Sequence, residues 1–185
     1  MQNLNRRFAF LSVLLAAIFA APLTIPTSAA ASTHKIQFTD NFSSDTLGQW
    51  QLPYSQDWVV DKQDSVHYLH MLRSRDPLVP RRPMQFALLK GVNVGSFDFQ
   101  TRVRRYGSSV MIVFNYVDSL HFYYTHLSVD PGSKQPVHNG IFIVDGGPRH
   151  RIAGIDAAPV LPDKEWHTIR VKRNVKTGSI KVFVD

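Results

Sequence analysis

The chain contains no cysteine, and Glu165 is the only glutamate among its 185 residues. Without cysteine the chain cannot form disulfides, the usual reinforcement of small exported domains, and it cannot build a metal site on thiolates. Its folded part must therefore be stabilised by an apolar core or by a bound ion. With one glutamate, a catalytic pair of carboxylates would have to include aspartate.

Long apolar runs are also scarce, and the one that occurs is N-terminal. Residues 8–23 read FAFLSVLLAAIFAAPL, two arginines precede them, and small residues follow at 27–32. The run is short for a bilayer span, which needs about 20 residues, and prolines close it. This pattern predicts a cleavable signal peptide over 1–31, with a retained membrane anchor as the alternative. A secreted or periplasmic domain over 32–185, with no transmembrane segment, would follow.

Acidic residues are outnumbered by basic ones, and the formal net charge is +7. The arginines and lysines are scattered along the chain, whereas nucleic-acid binding requires a dense basic stripe. We therefore expect no nucleic-acid partner. Two interpretations remain open, a simply solvated basic surface and an affinity for acidic glycans or anionic envelope surfaces.

The region after residue 31 lacks the pattern of a long amphipathic helix. Short runs rich in Val, Ile, Phe and Tyr alternate with turn residues, which predicts an all-β fold, an antiparallel β-sandwich of the jelly-roll kind. The predicted strands are 35–38, 58–61, 66–72, 85–89, 96–105, 109–116, 121–128, 141–145, 150–155, 166–173 and 179–184.

One predicted hairpin can be placed in register. A tight turn at Asp118 and Ser119 puts Tyr116 opposite His121, and directly opposed residues share a face. One face is apolar and is the candidate core: Val110, Ile112, Phe114, Tyr116, His121, Tyr123, Thr125 and Leu127. The other mixes rings with polar groups and is predicted to be a half-exposed concave surface: Met111, Val113, Asn115, Phe122, Tyr124 and His126.

The strand 96–105 alternates in the same way. Phe97, Phe99, Thr101 and Val103 form a core-like face, and Asp98, Gln100, Arg102 and Arg104 form a polar one. If this strand neighbours the hairpin, its polar side chains share the concave surface with Asn115, Tyr124 and His126. The alternative is an outward, solvated face.

Several segments resemble the concanavalin A-like lectin/glucanase superfamily, whose members include laminin-G-like modules and family 16 glycoside hydrolases. The similar segments are FTDNFSS (38–44), LGQW (47–50), WVVD (58–61), SFDFQTRVR (96–104), 111–127, DKEWHTIRV (163–171) and GSIKVFVD (178–185). The resemblance implies a jelly roll over 32–185. It also implies further strands after Val184, so that the domain would be incomplete at its C-terminus.

The resemblance leaves the activity open, because this architecture hosts binding modules and enzymes alike. An exported, lectin-like carbohydrate-binding module, part of polysaccharide processing, is the first hypothesis. A glycoside-acting enzyme, either a hydrolase or a lyase of the keto-glycoside hydrolase-like group, is the second. A laminin-G-like module that binds protein is the third.

Catalysis by the family's retaining hydrolases uses a Glu-x-Asp-x-x-Glu run, which this chain lacks. Asp98, Asp145 and Asp156 could form a carboxylate pair, but none stands in a recognisable pairing. For chemistry based on proton abstraction, His126 is the candidate base, and Arg102 or Arg104 would stabilise a developing oxyanion.

Sugar recognition combines aromatic platforms with planar hydrogen-bonding groups. On that basis the candidate ligand-binding residues are Gln100, Arg102, Arg104, Asn115, Phe122, Tyr124 and His126, and the expected partner is a polysaccharide or other glycan. The residues themselves require no cofactor. The resemblance adds calcium as a candidate ion, with Asp40 as a ligand. The oligomeric state is left open.

Overall fold

The computed structural model describes residues 37–44, 47–130, 138–154 and 159–185. Contacts divide the chain into two units, Met1–Phe38 and Thr39–Asp185, and every element given below belongs to the second. The predicted signal peptide lies outside the described residues, as does the first half of the predicted strand 35–38, and Gln37 and Phe38 are not in a strand.

The described residues are mostly extended chain. The strands are β1 (Trp50–Gln51), β2 (Trp58–Gln63), β3 (Val66–Met71), β4 (Leu88–Leu89), β5 (Phe97–Val103), β6 (Ser109–Asp118), β7 (His121–Ser128), β8 (Gly140–Asp145), β9 (His150–Ala153), β10 (His167–Asn174) and β11 (Ser179–Val184). One 3-10 turn, Ser55–Asp57, precedes β2. No helix in the described part of the chain is long and apolar enough to cross a membrane.

The strands pair antiparallel in four sheets, two of which form the body of the fold. The larger sheet has the order β6-β7-β8-β9, and the second has the order β11-β10-β5; β2-β3 and β1-β4 are separate pairs. Inward residues of the two main sheets meet in one cluster built around Phe114, Leu127, Ile141, Ile169 and Val171. The predicted all-β fold of antiparallel sheets is confirmed, and its two main sheets pack as a sandwich.

The predicted hairpin register is confirmed along most of β6 and β7, where Val110 lies opposite Leu127 and Phe114 opposite Tyr123. It is wrong near the turn, because Asp118 and not Tyr116 lies opposite His121. A bulge after Phe114 takes up the difference, with Asn115 in a left-handed conformation at φ 50°. The Asp118 carboxylate accepts a hydrogen bond from the Leu120 amide at 2.7 Å, which moves the turn one residue along.

The face predicted to be half-exposed is buried along β7, where that prediction is wrong, but not along β6, where Met111 is 37% exposed. Phe122 is 1% exposed, Tyr124 0% and His126 6%. Phe122 and Tyr124 pack with β8 residues and with Phe86, whose ring centroid lies 5.7 Å from that of Phe122. Phe86 belongs to the irregular segment between β3 and β4, which covers this side of the larger sheet and creates a second core.

A buried carboxylate holds the covering segment in place. Asp57 is 0% exposed, and it accepts hydrogen bonds from the guanidinium groups of Arg73 and Arg75 and from the Gln85 amide at 2.8 Å. The hydrogen bond from Arg75 is the main cause that lowers the pKa of Asp57 to about 2, so the carboxylate is ionised at neutral pH. Because Gln85 directly precedes Phe86, this network positions the ring that covers Phe122.

The polar face of β5 does not join the hairpin surface, so the prediction of a shared surface is wrong. β5 pairs with β10, and Phe97 packs on Phe114 with ring centroids 5.9 Å apart, across the interior of the sandwich. Alternation along β5 therefore points Gln100 and Arg102 outward on the opposite side of the domain from Tyr124 and His126.

Candidate functional site

His126, the predicted catalytic residue, lies within a buried polar cluster under the larger sheet's outer surface. Arg149 donates from Nη1 to Tyr124 Oη at 3.1 Å and to His126 Nδ1 at 3.2 Å, and its guanidinium carbon lies 4.9 Å from the Phe142 ring centroid. Because Nδ1 accepts, the proton of the neutral imidazole is on Nε2. This contact fixes both the tautomer and the orientation of His126.

The surroundings of His126 disfavour the base role predicted for it. Burial, followed by the nearby charge of Arg149, lowers its pKa to about 3. The ring is therefore neutral at pH 7, but its basicity is far below that of an ordinary imidazole, and a general base works best with a pKa near the operating pH. The neighbouring His138, whose ring centroid is 5.5 Å away, is hydrogen-bonded to Asp130. We therefore interpret this cluster as part of the internal packing of the second core.

The other predicted arginines lie on the opposite side of the domain, around a tryptophan that the sequence analysis did not select. Arg104 and Trp166 are each one residue beyond the last β5-β10 pair, Val103 opposite His167. The guanidinium carbons of Arg102 and Arg104 lie 5.6 Å and 5.2 Å from the Trp166 ring centroid. Antiparallel register thus brings together groups that are more than sixty residues apart in sequence.

A cleft of about 250 Å³ opens beside this ring. We name it the Trp166 cleft, and its lining residues are Gln63, Asp64, Val66, Arg102, Arg104, Glu165 and Trp166. Arginine and glutamine side chains supply hydrogen-bond donors, and the carboxylates of Asp64 and Glu165 supply acceptors. Among the described residues neither arginine forms an ion pair, so their contacts with aromatic rings leave donors available at the cleft.

The β2-β3 hairpin forms a wall beside Trp166. Tyr68 meets the Trp166 ring edge-on at 5.5 Å and donates a hydrogen bond to Asp61 Oδ2 at 3.2 Å. The same oxygen accepts from His70 Nδ1 at 3.2 Å, and the His70 ring stacks on Tyr106 at 5.3 Å. The Lys62 amide, His70 and Tyr68 together lower the pKa of Asp61, which keeps this acceptor ionised.

Tyr106 completes the arrangement by fixing one of the arginines. Its hydroxyl accepts a hydrogen bond from Arg104 Nη2, and the Arg104 guanidinium carbon lies 5.1 Å from its ring centroid. Arg104 is therefore held between Tyr106 and Trp166 with its orientation set before any ligand arrives. Such preorganisation lowers the entropic cost of binding.

The remaining predicted site residues are dispersed. Gln100 is exposed on β5 opposite Arg170, and Asn115 is half-buried in the β6 bulge. Asp40, the candidate calcium ligand, accepts hydrogen bonds from the Phe42 amide and from Trp50 Nε1, both at 2.8 Å. The described residues contain no group of three or more His, Asp or Glu side chains that could hold a metal ion. The calcium site stays a prediction.

Two features of the sequence could have indicated the Trp166 cleft. Arg102 and Arg104 alternate with Thr101 and Val103, and Trp166 stands one residue before a strand of the same alternation, so each lies on an outward face. The cleft also requires β5 to pair with β10, and no local pattern in the sequence predicts that pairing. His70 and Tyr106 were missed for the same reason.

Comparison with models of known protein families, with curated proteins and with solved structures finds no significant match to this chain. Its function is therefore argued from its own residues.

Proposed function

We propose that the chain is an exported, lectin-like β-sandwich module that binds polysaccharide at the Trp166 cleft. The observation that carries the proposal is the pair Arg102 and Arg104, held against Trp166 without an ion-pair partner in the described residues. Sugar hydroxyls both donate and accept hydrogen bonds, and the cleft offers donors and acceptors around an aromatic side chain. The composition of the lining is matched to a hydroxyl-rich ligand.

The size of the cleft agrees with this ligand class. Pockets that enclose a drug-sized molecule are about 300–1,000 Å³. At about 250 Å³ and open to solvent, the Trp166 cleft is suited to one or two units of a longer chain. The signal peptide over 1–31, the jelly-roll topology, the concanavalin A-like resemblance and a part in polysaccharide processing belong to the same proposal.

The test is a glycan array followed by affinity measurements on the best polysaccharide. Arg102→Gln removes an exposed charge that makes no hydrogen bond with described residues, and Trp166→Ala removes the ring. We expect each to weaken binding at least tenfold. Lys62→Gln, an exposed lysine on the β2-β3 hairpin outside the cleft lining, serves as the matched control and should bind as the parent does.

Two results would overturn the proposal. One is the absence of binding to any glycan by a folded chain. The other is glycan binding that survives both Arg102→Gln and Trp166→Ala. Capture of a protein ligand without any glycan would favour the laminin-G-like adhesion hypothesis instead.

A glycoside-acting enzyme is the second candidate, and the pair Asp61 and His70 favours it. The carboxylate accepts from His70 Nδ1, which leaves Nε2 as the candidate base, and the His70 ring stacks on Tyr106, which also contacts Arg104. If the protein is an enzyme, turnover of the bound polysaccharide should disappear in His70→Gln and persist in His121→Gln. If no glycoside is turned over in a substrate screen, the enzyme hypothesis is wrong and the binding module remains as the proposed function.

A further inference from the structure

The exposed side of the β11-β10-β5 sheet carries an excess of positive charge. Strand alternation places Arg102, Arg170, Lys172 and Lys181 on this side, all of them exposed, and Arg104 joins them at the Trp166 cleft. We call these five residues the basic face. The β2-β3 hairpin borders this side at the Trp166 cleft, and beyond the cleft the basic side chains are exposed.

Among the described residues, Asp98 is the one acidic group that forms ion pairs with the basic face. Asp98 is hydrogen-bonded to Arg170 at 2.7 and 2.6 Å, and it lies 3.3 Å from Lys172 Nζ. The hydrogen bond from Arg170 is the main cause that lowers the pKa of Asp98 to about 2. One carboxylate thus serves two cations, and neither Arg102 nor Lys181 has an ion-pair partner within the described residues.

Two lysines of this face directly oppose each other. Lys172 and Lys181 are register partners on β10 and β11. Like charges in directly opposed positions destabilise a sheet. The repulsion between these two lysines lowers the stability of the domain, and a bound polyanion would relieve the repulsion.

The basic face is continuous with the Trp166 cleft, because Arg102 and Arg104 belong to both. From Arg104 the face extends along β5 to Asp98 and its partner Lys172, a distance of about 20 Å at 3.3–3.4 Å per residue. A linear polymer seated in the cleft would cross this surface. Carboxylate groups repeated along that polymer would meet successive cations.

We propose that the ligand of this surface is an acidic polysaccharide, whose uronate carboxylates bind the basic face while one sugar unit occupies the Trp166 cleft. This inference rests on the proposed function and adds the class of polymer. A planar guanidinium such as that of Arg102 pairs bidentately with a carboxylate, which favours uronates over neutral sugars.

The experiment compares polygalacturonate with the same polymer after reduction of its carboxyl groups. The chain should bind polygalacturonate at least tenfold more tightly than the reduced polymer, and the difference should shrink as salt is raised, because exposed charges are screened. The double variant Lys172→Gln/Lys181→Gln lies away from the cleft. It should bind polygalacturonate about fivefold more weakly than the parent and bind the reduced polymer with unchanged affinity. Its Tm should equal or exceed that of the parent.

The control is Lys164→Gln/Lys176→Gln, which removes the same charge from two exposed lysines outside the basic face. It should bind polygalacturonate as the parent does. Equal loss in both double variants would mean that only net charge matters, and this outcome would overturn the proposal.

The remaining outcomes separate this inference from the proposed function. If the parent binds the charged and reduced polymers equally and Trp166→Ala binds neither, the inference of an acidic polysaccharide is wrong, whereas the proposed glycan-binding cleft is supported. If polygalacturonate binding depends on Lys172 and Lys181 but not on Trp166, the basic face is supported as a binding surface and the proposed role of the Trp166 cleft is wrong. Equally tight binding of a DNA duplex or of vesicles with anionic lipid would identify a general polyanion surface and overturn the choice of polysaccharide.

Discussion

His126 illustrates how burial changes the chemistry of a single side chain. Its ring lies against those of Tyr124 and Phe142, and Arg149 supplies a hydrogen bond at the one position where the ring accepts. Burial disfavours the charged ring, and protonation would also place a second positive charge beside that guanidinium; together these effects lower the pKa of His126 to about 3. A histidine held neutral in this way adds a pH dependence to stability.

The sign of that dependence follows from the protons bound in each state. Between pH 6.5 and 3 the unfolded chain protonates this histidine while the folded chain does not, so stability is present above pH 6.5 and is lost as the pH falls. We expect His126→Gln to lose less Tm than the parent between pH 7 and pH 4, by an amount equivalent to a few kcal/mol. Thermal unfolding at the two pH values measures it.

His121→Gln is the control for this prediction, since its exposed side chain lies on the same strand. Identical Tm losses for the parent and His126→Gln would contradict the assignment of a buried neutral imidazole. His167 contributes the opposite slope, because hydrogen bonds to Asp185 and Asp163 raise its pKa. Its stabilisation is fully present below pH 6.5 and is lost as the pH rises through the raised pKa.

At the scale of elements, a single arginine fastens the end of β5 to the loop before β10. Arg105 is 9% exposed, and its guanidinium donates to the carbonyls of Leu161 at 2.9 Å, Pro162 at 3.0 Å and Gly107 at 3.0 Å. These carbonyls belong to segments outside the strands. The planar fork of the guanidinium matches three acceptors at once.

Arg105→Ala should therefore destabilise the domain by about 2–4 kcal/mol, because it removes three hydrogen bonds and leaves the carbonyl of the buried Leu161 without this donor. Arg105→Lys keeps the charge but loses the fork, and we expect about half of that loss. Urea denaturation gives both values. Arg173→Ala, which gives up one hydrogen bond to the Gly95 carbonyl, is the comparison. A loss no larger than that of Arg173→Ala would show that Arg105 does not act as a clamp.

Among the elements, the sequence predicts the local pairing of β6 with β7 but not the long-range pairing of β5 with β10. Alternation from Val110 to Phe114 and from Tyr123 to Leu127 fixed the hairpin register, because pairing across a short turn is a local matter. The Asn115 bulge was not predictable from alternation, which continues unbroken through it. The pairing of β5 with β10 joins residues more than sixty positions apart in the sequence, and the Trp166 cleft exists only through that pairing.

Burial of Phe122 and Tyr124 was mispredicted for a related reason. Their face of the hairpin also carries Asn115 and His126, and polar side chains on one face are typical of an antiparallel sheet that is solvated on that side. The covering segment has no periodic pattern, and the contacts that place it come from Asp57, Arg73, Arg75 and Gln85. Only the folded arrangement shows that one aromatic residue, Phe86, closes the surface.

At the scale of the whole molecule, the sandwich has two unequal outer sides. One is covered by the protein's own segment, with Phe86 packed against Tyr116 at 5.5 Å and Phe122 at 5.7 Å. The other is open and charged, and it carries the proposed binding surface. A ligand on the open side leaves the covered side untouched, so the stability of the second core can be tested independently of binding.

Phe86→Ala should uncover that core. We expect a loss of about 2–3 kcal/mol from the missing ring and faster hydrogen exchange of the β7 amides, with polysaccharide affinity unchanged. Val79→Ala is the matched control, since Val79 lies in the same segment and is 95% exposed. Unchanged exchange in Phe86→Ala would show that the segment does not protect the sheet.

Burial of β7 on both of its faces has a consequence for the unfolded chain. Residues 122–127 read FYYTHL, with no proline, no glycine and no charge while the histidine is neutral. Six residues of this composition have the features of segments that stack into steric zippers. In the native domain two cores keep this hexapeptide apart from its copies. Once heat opens the sandwich, we expect neighbouring chains to associate through it, so that recovery on cooling falls as protein concentration rises.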